Sequence, residues 1–398
     1  MTRQTHLRAR SLAPRLARVG LLAGALALAA TGARAQGTLA DQGFGYPPGQ
    51  LSTRALGSAG ALGETDPVSP INPAALGGWG RGGLFFQYAP EFTEVTVGGN
   101  TDRTTSTRFP LIAAAMRVGS HYTLGLSSST FLARDFSTSN TVAQTLPSGT
   151  TVNTTTTLAS TGAANDVRFA AARVMSRVAV GVGLHAFTGQ NRVTVTGDFV
   201  DPTDTSSSNP FLQLSQSRTL SFSGIGVSAG GEWRPVRPLL LALSGRHGGT
   251  LRLNAGDTLV RSARIPDRVG GAVVFDGIPG TTLTARVNWE QWSSLDGLVS
   301  SEVKTFDATE YSAGADVAGP RLMGRALMLR AGGRRRTLPF SAAGARVDET
   351  AFAAGFGLPM SGERAVMDFA AQRATRSASG VGASERSWTI GLGFTVRP

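Results

Sequence analysis

Large apolar residues occupy every second position in a succession of short segments that runs from residue 82 to the end of the chain. In the last segment, the side chains on one face would all be large and apolar: Trp388, Ile390, Leu392, Phe394 and Val396. The other face of this segment would carry only Ser, Thr and Gly. A period of two is typical of a β-strand that is buried on one face. Because small residues oppose the large aliphatics, the pattern favours a barrel with lipid outside over a soluble sandwich.

Fourteen such segments can be counted, which is an even number, as in single-chain bacterial outer-membrane barrels. The sequence therefore predicts an all-β fold, a 14-stranded antiparallel transmembrane β-barrel that spans residues 82–398. The predicted strands cover residues 82–98, 108–118, 121–134, 163–175, 177–196, 214–232, 237–251, 259–275, 281–294, 302–318, 322–334, 346–358, 363–376 and 384–397.

The connections between the segments alternate in length, as expected for short periplasmic turns and longer outside loops. The longest loops are predicted over residues 135–162 and 201–210, which are rich in Ser and Thr and almost uncharged. They fit either flexible surface linkers or a mouth that collects a ligand. The short turns are predicted at Gly119–Ser120, around Ser176, and at Arg234–Pro238, Gly277–Gly280, Gly319–Pro320 and Pro359–Gly362.

Residues 1–35 have the composition of a secretory signal peptide. Five arginines up to Arg18 precede an apolar run from Gly20 to Ala30, and a small-residue cleavage site ends at Ala35. The run is too short for a transmembrane helix, which needs about 20 residues. Cleavage after Ala35 would remove six of the 38 basic residues and none of the 26 acidic ones, which lowers the formal charge from +12 to +6.

The composition after the signal argues against several function classes. The arginines are scattered and Lys304 is the only lysine, whereas nucleic-acid-binding proteins concentrate basic residues on one face. The chain has no cysteine, so neither disulfides nor thiolate metal sites can form. No histidine pair has metal-ligand spacing, and no Gly-rich segment continues into GK[ST]. We therefore expect no cofactor, no metal ion and no nucleic-acid partner.

Residues 36–81 precede the first predicted strand and lack the two-residue alternation. They are rich in Gly and Pro but too apolar for a disordered tail. We predict that this segment folds into the barrel lumen as a hatch, which is called the plug below.

The plug brings out a resemblance to a known family. The chain resembles the FadL/OmpP1/TodX family of outer-membrane transporters for long-chain fatty acids and other hydrophobic compounds. Members of that family begin with a hatch that carries a DP…NPA signature. The matching residues here are Asp66, Pro67, Asn72, Pro73 and Ala74.

A second match is a W-x-x-W-S segment in the predicted ninth strand, where Trp289, Trp292 and Ser293 have the family's spacing. The resemblance implies a monomeric passive channel for hydrophobic small molecules, in contact with lipid in the outer membrane of a Gram-negative bacterium. One departure is the C-terminus. The family usually ends in an aromatic residue that directs assembly, whereas Phe394 is followed by four further residues here.

The third predicted strand changes phase part-way along. Tyr122, Leu124 and Leu126 share one face, whereas Phe131 falls on the other, which predicts a bulge between them. The resemblance implies a kink in this strand that opens the wall sideways toward lipid; an ordinary bulge at a barrel rim fits the pattern equally well. The residues of this candidate lateral gate are Ser127, Ser128, Ser129 and Thr130.

Arginines on the small-residue face of the strands would point into the lumen, where they could bind the carboxylate head group of a ligand. By phase, the candidates are Arg168, Arg246 and Arg286. The alternative is pairing inside the protein with acidic residues. The partners predicted for that alternative are Glu290, Asp316 and Asp368.

Catalysis has little support in the sequence. A barrel hydrolase needs a Ser and a His at the outer rim with a third orienting group, and the mature chain has only His121, His185 and His247. His185 is predicted on the lumen face of a strand, and no motif surrounds His247. We therefore expect no enzyme. Two other functions stay open: a structural or anchoring component of a secretion apparatus, and a general polar porin.

Overall fold

The computed structural model describes residues 39–41, 44–80, 82–97, 100–145, 149, 151–200, 212–301, 303–322, 324–341, 344–360, 364–378 and 382–397. These residues form an all-β fold, a closed antiparallel barrel of fourteen strands. The predicted fold class is therefore confirmed. The signal peptide predicted over residues 1–35 and the loop predicted over residues 201–210 lie outside the described residues.

Several barrel strands consist of two consecutive segments, which are numbered separately, and two further short strands, over residues 304–305 and 340–341, pair only with each other in a separate sheet. The segments are β1 (Gly82–Tyr88), β2 (Glu91–Val97), β3 (Asn100–Ser106), β4 (Leu111–Val118), β5 (Tyr122–Ala133), β6 (Phe136–Thr145), β7 (Thr151–Val174), β8 (Val178–Val200), β9 (Leu212–Val236), β10 (Leu239–Gly248), β11 (Thr250–Ala255), β12 (Thr258–Arg264), β13 (Arg268–Ile278), β14 (Thr281–Glu290), β15 (Lys304–Thr305), β16 (Ala308–Leu322), β17 (Arg325–Leu338), β18 (Phe340–Ser341), β19 (Val347–Met360), β20 (Ala365–Ala378) and β21 (Ala383–Val396).

The barrel closes between its first and last strands. Leu84 in β1 pairs with Val396 in β21, and Phe86 pairs with Phe394, in antiparallel register. On its other edge β1 pairs with β4, which in turn pairs with β5. Closure removes the exposed edges that an open sheet of this size would have.

Side chains alternate between the two faces of the wall as the sequence predicts. In β19, Phe352 is 69% exposed, whereas the neighbouring Ala351 and Ala353 are buried. Leu84 and Phe86 in β1 point outward in the same way, while Phe85 between them is buried. An outward apolar face and an inward small or polar face are characteristic of barrels in lipid.

The first two barrel strands are interrupted at the same height. β1 and β2 are separated at Ala89 and Pro90, and β3 and β4 at residues 107–110. One hydrogen bond, from Ala89 N to the carbonyl of Arg108, spans this interruption. Proline lacks the N–H that a ladder requires, which explains why regular pairing stops at Pro90 and Pro110.

Some predicted boundaries are wrong because turn residues were misread. Gly319–Pro320 is not a turn: β16 continues to Leu322, and the register shifts between Ala318 and Arg321. A bulge accommodates a proline that cannot donate to the ladder. The predicted eighth strand is divided into β12 and β13 around Pro266. The predicted ninth strand ends four residues early, at Glu290.

The loop predicted over residues 135–162 consists largely of strand, since it contains β6 and the beginning of β7. The described residues of Thr138–Leu158 and Val195–Ser215 belong to a compact unit of their own. Within that unit, hydroxyl groups face each other across strands, with Oγ of Ser139 2.9 Å from Oγ1 of Thr157. Threonine favours extended backbone, but these strands lack the apolar alternation by which the other strands were recognised in the sequence.

The described helices are short. Helix α1 spans Thr53–Gly57, and 3-10 helices span Ala61–Glu64, Ala74–Trp79 and Trp292–Leu295. The Ser52 side chain caps α1 by accepting a hydrogen bond of 3.2 Å from Ala55 N. No helix in the described part of the chain is long and apolar enough to cross a membrane.

Candidate functional site

The plug lies against inward-facing residues on opposite sides of the barrel. Ala40 N donates a hydrogen bond of 3.1 Å to the carboxylate of Glu385 in β21, the last barrel strand. Ser244 in β10, the seventh barrel strand, donates a hydrogen bond of 2.6 Å to Glu64 of the plug. Because these two strands lie half a circuit apart, the described residues of the plug cross the lumen.

Inward-facing glycines provide the contact surface for the plug. A Cβ atom at Gly230 in β9 would lie 2.0 Å from Oδ1 of Asn72, and one at Gly332 in β17 would lie 2.2 Å from the carbonyl of Ser58. Any side chain there would collide with the plug. In the sequence, small residues alternate with large aliphatics. The small residues face a crowded lumen, and they also leave the space that the plug occupies.

The plug residues of the DP…NPA signature hold the plug in shape. Asp66 accepts hydrogen bonds from the hydroxyl of Ser52 at 2.5 Å and from the backbone N–H of Ser69 at 3.0 Å. Asn72 donates a hydrogen bond of 3.0 Å to the carbonyl of Glu64 and accepts one of 2.9 Å from Ala74 N. Pro73 lies at the start of the 3-10 helix that follows. These contacts give the signature a structural role.

Glu64 is the plug's main charged contact with the wall. It is fully buried and forms ion pairs with Arg268 in β13 and Arg286 in β14, the latter at 3.4 Å. Burial alone would raise the pKa of Glu64, but the two guanidinium groups lower it below its usual value. Glu64 therefore stays ionised at neutral pH and connects the plug to two adjacent strands.

Tyr46 forms a second attachment nearer the loop end. Its hydroxyl donates to Glu349 in β19 at 3.2 Å and accepts from Arg376 in β20 at 3.0 Å and from Arg336 in β17. The guanidinium of Arg376 also lies 4.7 Å from the centre of the Tyr46 ring. Burial raises the pKa of Tyr46, which keeps the phenol protonated and able to donate.

The third barrel strand contains the predicted irregularity, one residue beyond the predicted range. The register between β5 and β7 shifts between Thr130 and Leu132, with Phe131 as the extra residue. Ser127, Ser128 and Ser129 pair regularly with β4 on one side and β7 on the other. Any sideways opening at these serines would require the separation of paired strands.

Beyond this bulge, β5 pairs with the plug. Leu111, the first residue of β4, lies opposite Ser129, and Thr130 N donates to the carbonyl of Pro110. At Ala133, the partner is Tyr46, through two backbone hydrogen bonds of 2.9 Å. The plug thus occupies the position along the edge of β5 that the second barrel strand would take.

Apolar side chains gather at the loop end of the lumen, in a group called the mouth cluster below. Aromatic rings at its centre are in direct contact: Phe131 stacks on Trp292 at 5.1 Å and meets the edge of Phe187 at 5.0 Å. The cluster consists of Phe44, Phe131, Leu132, Ala164, Phe187, Phe222, Leu251, Leu253, Ile265, Trp292, Leu295, Leu298, Val299 and Phe340.

Two described cavities lie between the plug and the wall, and both are small. One, of about 40 Å³, is lined by residues that include Tyr46, Glu91 and Arg108. The other, also of about 40 Å³, is lined by residues that include Arg286 and Trp292. A cavity of about 150 Å³ is needed to enclose benzene, so neither holds an aromatic ring with the plug in this position.

The three candidate lumen arginines are all buried, but their surroundings differ. Arg286 forms ion pairs with Glu64 and Glu310, and Arg246 lies 3.7 Å from Asp166. Nε and Nη1 of Arg168 have no hydrogen-bond partner among the described residues. Arg168 is therefore the candidate whose donors are unused.

Arg246 and Arg286 do have carboxylate partners inside the protein, but among the described residues none of the three predicted acidic residues forms an ion pair with them. Asp316 and Asp368 both pair with Arg330, at 3.3 and 2.6 Å, and Glu290 lies 3.9 Å from Arg268. Which acidic residue an arginine pairs with depends on how far along its strand each of the two residues lies. Strand boundaries predicted from the sequence do not fix that position to a single residue.

His185 occupies the predicted lumen face and joins two strands. Its Nδ1 lies 2.8 Å from Asp166 in β7, and its Nε2 lies 2.8 Å from the hydroxyl of Ser228 in β9. Gln50 of the plug donates a hydrogen bond of 3.0 Å to the same aspartate and one of 2.7 Å to Ser129. No local sequence pattern marks these contacts, because the residues that make them lie on different strands.

The other two histidines are peripheral. His121 follows the turn at Gly119–Ser120 and is exposed, and His247 is exposed beside Asp267. Among the described residues, no three His, Cys, Asp or Glu side chains converge in a manner that could hold a metal ion.

The W-x-x-W-S residues separate in the structure. Trp289 in β14 is 37% exposed on the outward face, whereas Trp292 is buried in the mouth cluster. The sequence placed Trp292 and Ser293 within the ninth strand, but they lie in the 3-10 helix that follows it. Nε1 of Trp292 donates a hydrogen bond of 2.6 Å to Glu290. Only one of the two tryptophans therefore faces the lumen.

Comparison with solved structures identifies the architecture. The CymD monoaromatic hydrocarbon channel superposes with a TM-score of 0.52 at 15% identity, over 87% of this chain and 97% of that one. The toluene transporter TodX of Pseudomonas putida gives 0.53 at 10% identity, over 87% and 98%. The chain has the fold of these channels. A TodX deltaS2S3 mutant agrees, with a TM-score of 0.56 at 10% identity, over 87% and 99%.

The resemblance that the sequence suggested is thus confirmed at the level of the fold. No protein-family model matches the sequence, and no curated protein matches it. The similar structures are channels and not enzymes.

Proposed function

We propose that this protein is a passive outer-membrane channel for hydrophobic small molecules, such as long-chain fatty acids or aromatic hydrocarbons. The observation that carries the proposal is the mouth cluster, in which buried aromatic and aliphatic side chains pack together at the loop end of the lumen and would form an apolar surface if the plug withdrew. A polar porin would line the same region with charged groups. Transfer of a ligand from water to such a surface contributes about 0.8 kcal/mol for each CH₂ group.

Passage requires the plug to move. The two cavities of about 40 Å³ found between the described residues of the plug and the wall are too small for an aromatic ring. A ligand that inserts among Phe131, Phe187 and Trp292 would compete with the packing of Phe44, the plug residue that belongs to the same cluster. Ligand binding and displacement of this end of the plug are therefore coupled in the proposal.

Sideways release at the third barrel strand extends the proposal. The bulge at Phe131 and the pairing of Ala133 with Tyr46 support it. If Tyr46 leaves, the edge of β5 beyond Thr130 loses its partner, and an opening toward lipid results there. The candidate gate is then the end of β5 together with the plug, adjacent to the serines 127–129.

Arg168 is the proposed contact for an acidic head group. Its buried, unused donors would gain charge-assisted hydrogen bonds from a carboxylate. Arg246 and Arg286 already have carboxylate partners and are better regarded as structural. A neutral hydrocarbon would make no use of Arg168, so this residue separates the two substrate classes.

Uptake into cells that lack their own hydrophobic channel tests the proposal. We expect the mature chain to accelerate entry of radiolabelled toluene or oleate but not of a sugar of similar size. Phe187→Ser, in the mouth cluster, should reduce uptake, whereas Phe352→Ser on the lipid-facing surface should not. Equal uptake with and without the protein, for both hydrophobic probes, would instead favour an anchoring role in a secretion apparatus.

A further inference from the structure

Four exposed arginines lie on the outside of the barrel at the loop end of neighbouring strands. They are Arg335 in β17, Arg373 in β20, Arg386 in β21 and Arg103 in β3. The side chains of Arg103 and Arg335 are 82% and 73% exposed. These four residues are called the arginine cluster below.

Strand register places three of the four on one row of directly paired residues. Arg386 pairs with Glu94 in β2, and Glu94 pairs with Arg103. In the other direction, Arg386 pairs with Thr375, which is opposite Thr350, the partner of Arg335. Neighbouring strands are about 4.8 Å apart, so the row extends over six strands of the wall.

The fourth arginine lies one step lower, among aromatic residues. Arg373 pairs with Trp388 on one side and Phe352 on the other, and Phe92 pairs with Trp388. All three aromatic side chains are exposed on the outward face. Arg373 and Arg386 are diagonal neighbours on adjacent strands, which places their Cα atoms about 7–8 Å apart.

This row of aromatics marks the outer boundary of the apolar band. Aromatic girdles lie at the interfaces between the hydrocarbon region and water in outer-membrane barrels. The loop end faces outward because short turns are periplasmic and longer loops are external. Arg373 and Arg386, which lie at and just beyond this row, are therefore level with the headgroups of the outer leaflet.

Carboxylates neutralise only half of the cluster. Glu94 pairs with Arg103 at 3.1 Å, and Asp348 pairs with Arg335 at 3.3 Å. Arg373 contacts the Trp388 ring at 5.8 Å, and no hydrogen bond or ion pair of the Arg386 side chain occurs among the described residues. Two like charges this close favour an anion between them.

We propose that the arginine cluster binds the phosphorylated headgroup of a lipid in the outer leaflet. Guanidinium groups match phosphate geometry through paired N–H donors, and such charge-assisted hydrogen bonds are short and strong. The aromatic row beneath would contact the upper part of the acyl chains. This surface is separate from the lumen, and its role does not depend on what the channel carries.

The opposite rim of the barrel offers a matched control. Arg173 and Arg325 are also exposed on the outward face, but near the periplasmic turns. Arg325 donates a hydrogen bond of 3.1 Å to the carbonyl of Pro359, and Arg173 lies over the ring of Tyr122 at 5.5 Å. Removal of these two arginines changes the net charge by the same amount as removal of Arg373 and Arg386, but at the periplasmic end of the barrel.

The test uses the mature chain in phosphatidylcholine nanodiscs that contain a minor fraction of lipid A, or of lipid A from which the phosphates have been removed. Native mass spectrometry after detergent extraction counts the lipid A retained per barrel. We expect retention of the phosphorylated form only. The Arg373→Gln/Arg386→Gln variant should bind it about 30-fold more weakly, and Arg173→Gln/Arg325→Gln should bind it normally.

Three results would overturn the proposal. Equal retention of both forms of lipid A would show that phosphate is not recognised. An equal loss in both double variants would show a general charge effect. Release of lipid A by inorganic phosphate alone at equal concentration would show that the cluster takes a free anion and not a lipid. None of these outcomes bears on transport through the lumen.

Discussion

The backbone of Tyr46 pairs with that of Ala133 through two hydrogen bonds of 2.9 Å, and this pair is the only described backbone bridge between the plug and a barrel strand. The side chain of Tyr46 is held at the same time by Arg376 and Glu349 on the opposite side of the plug. Displacement of one residue would therefore release the end of β5 and two wall strands together.

Tyr46→Phe should loosen this end of the plug without changing its packing volume. The variant leaves buried donors and acceptors unpaired, which costs about 1–3 kcal/mol. Hydrogen exchange at the amide of Ala133 should accelerate, and uptake of hydrophobic probes should rise. Tyr88→Phe is the control, because Tyr88 contacts Phe109 at the outer surface. Unchanged exchange at Ala133 would contradict the role assigned to the Tyr46 hydroxyl.

A disulfide between β4 and β5 should test sideways release. Ala113 and Ser127 lie opposite each other and are both buried, and the chain has no native cysteine to interfere. If release requires these strands to separate, Ala113→Cys/Ser127→Cys should lose uptake on oxidation and regain it on reduction. The control pair is Ala351→Cys/Ala374→Cys. Full uptake with the first disulfide closed would exclude an opening at that position.

Glu64→Gln should weaken the plug more than any surface substitution. It leaves Arg268 and Arg286 with a neutral partner, and the loss of one partner from a buried ion pair costs about 3–5 kcal/mol. Asp276→Asn, which breaks the exposed pair with Arg234, should cost less than about 1 kcal/mol. The free energy of unfolding in denaturant distinguishes the two. Similar values for both variants would argue against Glu64 as an anchor.

The same residue sets a pH dependence. Because the pKa of Glu64 is lower in the folded protein than in the unfolded chain, its stabilisation is fully present above the unfolded pKa and is lost as the pH falls through the folded pKa. The plug should therefore remain docked in mild acid and loosen only below the usual carboxyl range. Channel conductance measured from neutral to acidic pH tests this, and opening already near neutral pH would contradict it.

Arg168→Met should separate the two substrate classes. A carboxylate ligand loses its charged partner, which reduces uptake of oleate by about tenfold if one charge-assisted contact of about 1.4 kcal/mol is lost. Toluene uptake should not change. Replacement of a buried charge that lacks partners should also leave the barrel as stable as before or more stable. A parallel decrease for both probes would remove Arg168 from ligand recognition.

Ser228 should not react as a nucleophile, although its hydroxyl contacts His185, which in turn contacts Asp166. The hydroxyl is buried, and Asn72 of the plug lies against Gly230, two residues further along the same strand. Incubation with a fluorophosphonate probe should leave the protein unlabelled under conditions that label a serine hydrolase. Labelling that disappears in Ser228→Ala would show an activity that a channel does not need.

The fold was predictable because its main signal is local. An exposed apolar face outside and contact with the plug inside impose alternation within each strand, as in Phe352 between Ala351 and Ala353. The ion pairs of the site are not local, since Glu64 and Arg268 are 204 residues apart and meet only when strand register is fixed. Local turn signals also misled at Pro320, where a bulge absorbs a residue that usually ends a strand.

The plug contacts extend across almost the whole length of the polypeptide. Ala40 binds Glu385, which is 345 residues later in the chain, and Tyr46 binds Arg376, which is 330 residues later. These plug residues thus bind partners that are synthesised only with the last two barrel strands. Contacts of such long sequence separation form late in folding. A chain truncated before β21 would therefore lose two things at once: the strand that closes the barrel onto β1 and the carboxylate that holds Ala40 of the plug.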